Sequence, residues 1–165
     1  MKLFMDNTTP AEVRKPLERE FEKIVGEMKL TNSPYCVRLD FFVAPPQQTG
    51  SNRSGYLGGQ TIGPEPGSHV IRVTLNMYTW LYKISLPKEA AGLAAFDFIR
   101  SFRHEMGHVW QHATEKLVIR GRSRFWNGED YTYAPKYEDQ PWEVEARAFE
   151  MHFTRKENPN AQPSY

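Results

Sequence analysis

The chain has one cysteine, Cys36, in 165 residues. A single thiol closes no disulfide and builds no cysteine-rich zinc knuckle. It sits in an apolar stretch that reads as a strand, where a small buried residue is the expected role. Long apolar runs are also missing. No stretch approaches the ~20 residues of a membrane span. The apolar start from Met1 to Met5 is cut off by Asp6 and Asn7, too short for a signal-peptide core. The expectation is a soluble chain, cytoplasmic as synthesised, with export by a signal-independent secretion route left open. Charge of one sign is absent as well: 21 Lys and Arg stand against 20 Asp and Glu, and the net charge is +1. No basic stripe appears, so neither nucleic acid nor a membrane is an expected partner.

Apolar and aromatic content is ample: 39% of residues are hydrophobic and 13% aromatic, which suits one packed domain over residues 1–165. Residues 10–29 carry Val13, Leu17, Phe21, Ile24 and Met28 at helical spacing, with Thr9 and Pro10 as start signals. Residues 37–43 alternate, with Val37, Leu39, Phe41 and Val43 on one face of a strand. Residues 45–68 are poor in apolar side chains and rich in Gly, Pro, Gln and Ser, which reads as a long loop or lid. A second strand alternates His69, Ile71, Val73 and Leu75, with His69 as a partly exposed structural histidine. Residues 76–84 suggest a short helix. Pro87 opens a long helix to about Ala113, residues 116–140 show no clean period, and a last helix spans 141–154 with Trp142, Ala146, Phe149 and Phe153 on one face. The tail over 157–165 is polar and is expected to fray.

Within the long predicted helix lie His104, Glu105, Met106, Gly107 and His108. Positions i and i+4 share a side of a helix, so the two imidazoles can converge on one metal ion at about 2 Å. Glu105 is turned by about 100° from His104, out of that inner sphere, but within reach of a water on the metal. A chain of this composition yields roughly 0.02 such matches by chance. His112 lies roughly 12 Å along the axis from His104, too far to share a tetrahedral ion, and reads as a residue behind the ligands or at the rim.

His104, Glu105 and His108, followed by Val109, Trp110 and Gln111, resemble the gluzincin branch of the zinc metallopeptidases. Lethal-factor-like domains and small phage or effector metallopeptidases are similar, and the resemblance extends to Glu143, Ala146 and Phe149. It covers residues 100–152. It implies a third ligand on a later helix: Glu143 takes that place, Ala146 the small-residue place, and Arg147 stands where the family usually has an acid. Glu145 competes with Glu143. The two lie about 200° apart on a helix, so only one can face the metal, and Glu143 lies away from the Trp142, Ala146 and Phe149 stripe. The acid that would orient a histidine ligand is unassigned, with Asp97 and Asp139 as candidates. A tyrosine stabilising the developing oxyanion is also implied. Tyr131, Tyr133 and Tyr137 are available, and Tyr137, nearest Glu143, comes first.

The fold implied is α+β, a minimal zincin-like domain. A small mixed sheet packs on the long metal-binding helix, and a C-terminal helix supplies the third ligand. The strand at 69–75 is expected at the sheet edge beside the cleft, where a substrate adds as an extra strand. The function implied is zinc-dependent hydrolysis of a peptide or protein substrate by a metal-activated water, with Glu105 as general base. Two alternatives stand beside it: a zinc amidase acting on cell-wall peptide, and a non-enzymatic, zinc-stabilised binding or structural module. Small size and the missing signal peptide also suit a toxin or effector delivered by a secretion machine, with an immunity or inhibitor protein as partner.

Overall fold

The computed structural model describes residues 1–44, 58–78, 80–81, 87–133 and 136–162. Its elements run β1 (Lys2–Met5), α1 (Ala11–Glu27), β2 (Cys36–Phe42), β3 (Gly59–Ile62), β4 (Val70–Asn76), α2 (Lys88–Ala113), β5 (Leu117–Arg120), β6 (Ser123–Trp126), β7 (Glu129–Asp130), a 3-10 turn (Tyr137–Asp139) and α3 (Pro141–Glu157). This is an α+β fold: among the described residues, three long helices and two sheets. No described helix is long and apolar enough to cross a membrane.

The larger sheet is mixed, with strand order β1-β2-β4-β3. β1, β2 and β4 are parallel, and β3 runs antiparallel to β4. Its inner face carries Val37 and Leu39 of β2 and Ile71, Val73 and Leu75 of β4, all at most 1% exposed. They pack on Leu17, Phe21 and Ile24 of α1 and on Phe98, Phe102, Met106 and Val109 of α2. Each such side chain withdrawn from water contributes about 1.5–3 kcal/mol. The predicted alternation therefore holds, except that Val43 lies past the end of β2 and is 59% exposed.

Several expectations need correction. Within the predicted 45–68 loop, residues 45–57 lie outside the described residues, but Gly59–Ile62 form β3. Its inward positions are Gly59 and Thr61 because Glu105 stands directly behind them. A Cβ at Gly59 would sit 2.8 Å from Glu105 Cγ, so the strand cannot carry the large apolar residues that announce one. The strand at 70–76 is not an edge: β2 covers one side and β3 the other, and β3 is the edge beside α2. Of the helix expected over 76–84, Asn76 belongs to β4, Tyr78, Trp80 and Leu81 are helical, and most of the remainder lies outside the described residues. Residues 117–130, without a visible period, form the small sheet β5-β6-β7. Its strands have two to four residues, too short for alternation to register.

Arg103 of α2 is completely buried. Its Nε donates to Glu20 Oε1 of α1 at 2.7 Å, Nη2 to Glu157 Oε2 of α3 at 2.5 Å, and Nη1 to Thr154 Oγ1 at 3.3 Å. Burial opposes the charge, but the two carboxylates outweigh it and raise the guanidinium pKa above its ordinary value. This contact carries α3 three residues beyond its predicted end. The tail up to Gln162 is also docked, since Ala161 is buried and Arg100 Nη2 donates to the Gln162 carbonyl at 3.1 Å.

Removing one partner of a buried ion pair strands the other in low dielectric. Arg103→Met is therefore expected to cost about 3 kcal/mol. Replacing Glu20 by Met in the same chain should recover part of that loss, because no lone charge remains inside. Urea unfolding of the single and double variants measures both effects.

Candidate metal centre

α2 and α3 pack antiparallel, and their closest approach is made by small residues. A Cβ at Gly107 would lie 3.1 Å from Ala146 Cα, so glycine is what lets the backbones meet. Beside this contact, Glu143 of α3, about one turn before Ala146, stands opposite His104 and His108 of α2. The three residues each offer a ligand atom, and these atoms lie within 4.8 Å of one another. His104 Nε2 is 3.4 Å from Glu143 Oε2, and His108 Nε2 is 3.4 Å from Glu143 Oε1. Those separations match the edge of a tetrahedron with bonds of about 2 Å.

The donor set fits a cation. Glu143 Oε2 is the one buried side-chain oxygen or nitrogen among the described residues that has no hydrogen-bond partner; the imidazole beside it is close but not aligned. A carboxylate oxygen withdrawn from water without a partner is expensive. Burial pushes Glu143 up, but His104 and His108 hold its pKa well below the usual carboxylate range. His108 shows the reciprocal effect: burial disfavours its charge, and Glu143 more than offsets this and raises its pKa. Two imidazoles and one carboxylate form a set suited to zinc.

Neighbouring groups orient the ligands. Gln111 donates its amide N–H to the Trp142 carbonyl at 2.8 Å, which leaves its Oε1 to accept from His108 Nδ1 at 2.9 Å. Nδ1 then carries a proton toward Gln111, and Nε2 is the ring nitrogen that faces Glu143. His104 Nδ1 faces Glu150 Oε2 at 3.9 Å, and Glu150 is braced by Arg100 at 2.7 Å. These partners are Gln111 and Glu150, not the candidates Asp97 and Asp139, which are both exposed. Glu145 turns away from the cluster to Lys116 at 2.5 Å and to the Gln111 amide, so it is Glu143 that faces the histidines.

Glu105 stands off the cluster. Thr61 Oγ1 of β3 donates to its Oε2 at 2.6 Å, and its Oε1 lies beside Gly59 of the same strand. Burial raises the Glu105 pKa, with His108, His104 and Thr61 pulling the other way. Of the three tyrosines, Tyr137 lines the cleft beside Glu143. Although 61% of it is exposed, the burial of the remainder and that carboxylate push its pKa above the ordinary phenol value. Tyr131 packs edge-on against Trp142, and Tyr133 is fully solvent-facing.

His112 is not a rim residue. It is 5% exposed, and its Nδ1–H donates to the Leu117 carbonyl at 2.9 Å. The ring occupies space that Gly63 leaves open, where a Cβ would sit 2.5 Å from it. Sequence reasoning passed over Thr61, Gln111 and Glu150 as site residues. Gln111 had a usable signal, three residues after His108 and on the same side of the helix. Thr61 had none, because β3 itself shows no pattern.

The comparisons leave this geometry to stand alone: no family model, no curated protein and no solved structure matches the chain.

Burial holds the His112 pKa down at about 4, against an ordinary value of 6.5. Above pH 6.5 the group is neutral in both states and has no effect. As pH falls below 6.5, the unfolded chain takes up a proton that the folded one refuses, so stability drops until about pH 4. Between pH 6.5 and 4.5 the wild type should lose roughly 2–3 kcal/mol more than His112→Gln. Urea midpoints at the two pH values measure the difference.

Proposed function

We propose that this chain is a zinc-dependent peptidase of zincin-like design, with His104, His108 and Glu143 as metal ligands and Glu105 as general base. The observation that carries the reading is a histidine–histidine–glutamate cluster of which His108 and Glu143 line one cleft together with a separately held second carboxylate, Glu105. A bound zinc would supply Lewis acidity and a water of lowered pKa. The remaining work falls to side chains. Glu105 Oε1 accepts a proton from the attacking water and returns it to the leaving nitrogen. Its burial-raised pKa suits both transfers. Thr61 keeps the carboxylate in one rotamer, which is why it does not collapse onto the ligands. Tyr137, with its proton firmly held, donates a hydrogen bond to the carbonyl oxygen as charge develops there.

β3 supports a peptide as substrate. Gly58 accepts from the Asn76 amide at 2.9 Å, so the ladder's alternation turns the N–H and C=O groups of Gly59 and Thr61 away from β4. An extended peptide can pair with that edge with little demand on its sequence.

Elemental analysis of the purified protein tests the metal. About one zinc per chain is expected, lost in Glu143→Ala and retained in Glu145→Ala; no metal after reconstitution would end the reading. Glu105→Gln should keep its zinc and lose at least about a hundredfold in turnover of casein. Undiminished turnover would remove Glu105 from its role, and cleavage of peptidoglycan in place of casein would move the reading to a cell-wall amidase.

A further inference from the structure

The cleft has a second wall whose chemistry the hydrolytic machinery leaves unused. β5 and β6 pair antiparallel with Ile119 opposite Arg124 and Leu117 opposite Trp126, so these side chains share a face. Leu117, Ile119 and Arg124 line the same cleft as Glu105, His108 and Glu143. Ile119 is 44% exposed, an apolar branch held open to solvent. The Arg124 guanidinium lies over the Trp142 ring, 5.7 Å from its centre, and no ion pair joins it to a carboxylate among the described residues. Lys116, the other cation against this aromatic cluster, is by contrast neutralised by Glu145.

The support under Arg124 is fixed. Trp142 is 4% exposed and packs with Leu117 and Trp126 in a cluster of its own. A cation–π contact with a locked ring biases a guanidinium toward that ring and leaves its planar fork of donors for another partner. An exposed fork on the cleft wall, with no carboxylate partner among the described residues, matches a carboxylate, which it can bind through two parallel hydrogen bonds. The favourable place for such a group is therefore the Arg124 wall, with its aliphatic stem against Leu117 and Ile119.

We propose that Arg124 is the specificity-determining residue of this cleft and that it reads a carboxylate on the peptide, carried by an aspartate or glutamate side chain or by the peptide's C-terminus. The proposal rests on the reading of the cleft as a peptide site. It makes Arg124 a binding residue for a group flanking the scissile bond, with no part in proton transfer.

The test uses binding, so that it does not depend on turnover. Glu105→Gln protein is immobilised and exposed to pools of acetylated, amidated hexapeptides with random flanks and one fixed position. That position holds Glu, Gln or Lys; a fourth pool has Gln there and a free C-terminal carboxylate. Retained peptides are counted by mass spectrometry. The Glu pool or the free-carboxylate pool should be retained about tenfold over the amidated Gln pool, the factor of one charge-assisted contact. Whichever of the two wins names the source of the carboxylate. Adding Arg124→Glu should reverse the order in favour of Lys, and Arg124→Gln should flatten it. Arg122→Glu, the same charge change in the exposed turn of the hairpin, should leave the order intact. Equal retention of acidic and amide pools at any level, or a preference that survives Arg124→Glu, overturns the proposal. Casein turnover by the wild type decides the peptidase reading separately. Acid-selective capture without turnover keeps the carboxylate site and removes the chemistry; turnover with no acid preference does the reverse.

Discussion

The Arg103 guanidinium, withdrawn completely from water, constrains how the three helices meet. A buried charge of this kind costs several kcal/mol unless its donors are filled. The acceptors come from α1 (Glu20) and from the far end of α3 (Thr154 and Glu157). Those elements must therefore stand around one residue of α2 at hydrogen-bond distance. This fixes the rotation of α2 about its axis. His104, the next residue, is turned by about 100°, and His108 follows it one turn later on the same side. The core network and the candidate metal ligands are set by the same rotation.

α3 is held along α2 at three levels. Arg103 grips its C-terminal end, Gly107 meets Ala146 in the middle, and Gln111 bonds the Trp142 carbonyl at its start. Glu143 lies between the second and third of these and is not free to swing away. Gln111 serves both purposes at once, since its oxygen accepts a hydrogen bond from His108 while its nitrogen pins the helix that presents Glu143. The orphan oxygen of Glu143 is thus kept in place by contacts made elsewhere, where a less constrained side chain would turn to solvent. A buried carboxylate oxygen without a hydrogen bond is costly, and surrounding contacts must maintain it.

The sequence was legible where residues repeat with the period of the element they form. α1, β2, β4, α2 and α3 each bury one face over seven or more residues, and their patterns located them to within a few positions. The histidine pair and Glu105 were legible for the same reason, since helix geometry fixes where i and i+4 point. β1, β3 and the β5-β6-β7 sheet were not. Their strands run four residues or fewer, and β3 carries Gly59 and Thr61 where a core-facing strand would carry bulk. The choice of Glu143 over Glu145 followed from the core stripe of α3. The roles of Thr61 and Glu150 depend on contacts across 44 and 46 residues of chain, which no local pattern encodes.

The two carboxylates of the cleft show how one fold holds two neighbouring acids in different states. Both are buried, so desolvation pushes both toward the neutral form. They diverge because their partners differ. Glu143 lies between two imidazoles at 3.4 Å and near the Tyr137 hydroxyl, which favour its charged form and drive its pKa down. Glu105 has the Thr61 hydroxyl and only the more distant field of the same histidines, so burial prevails and its pKa rises. A carboxylate pinned in its ionised state is a ligand and a poor proton carrier. One poised above its ordinary value can take a proton and give it back. The difference comes from a glycine and a threonine on β3. Gly59 lets the strand press against Glu105, and Thr61 supplies the single neutral donor that holds its carboxylate off the histidine cluster.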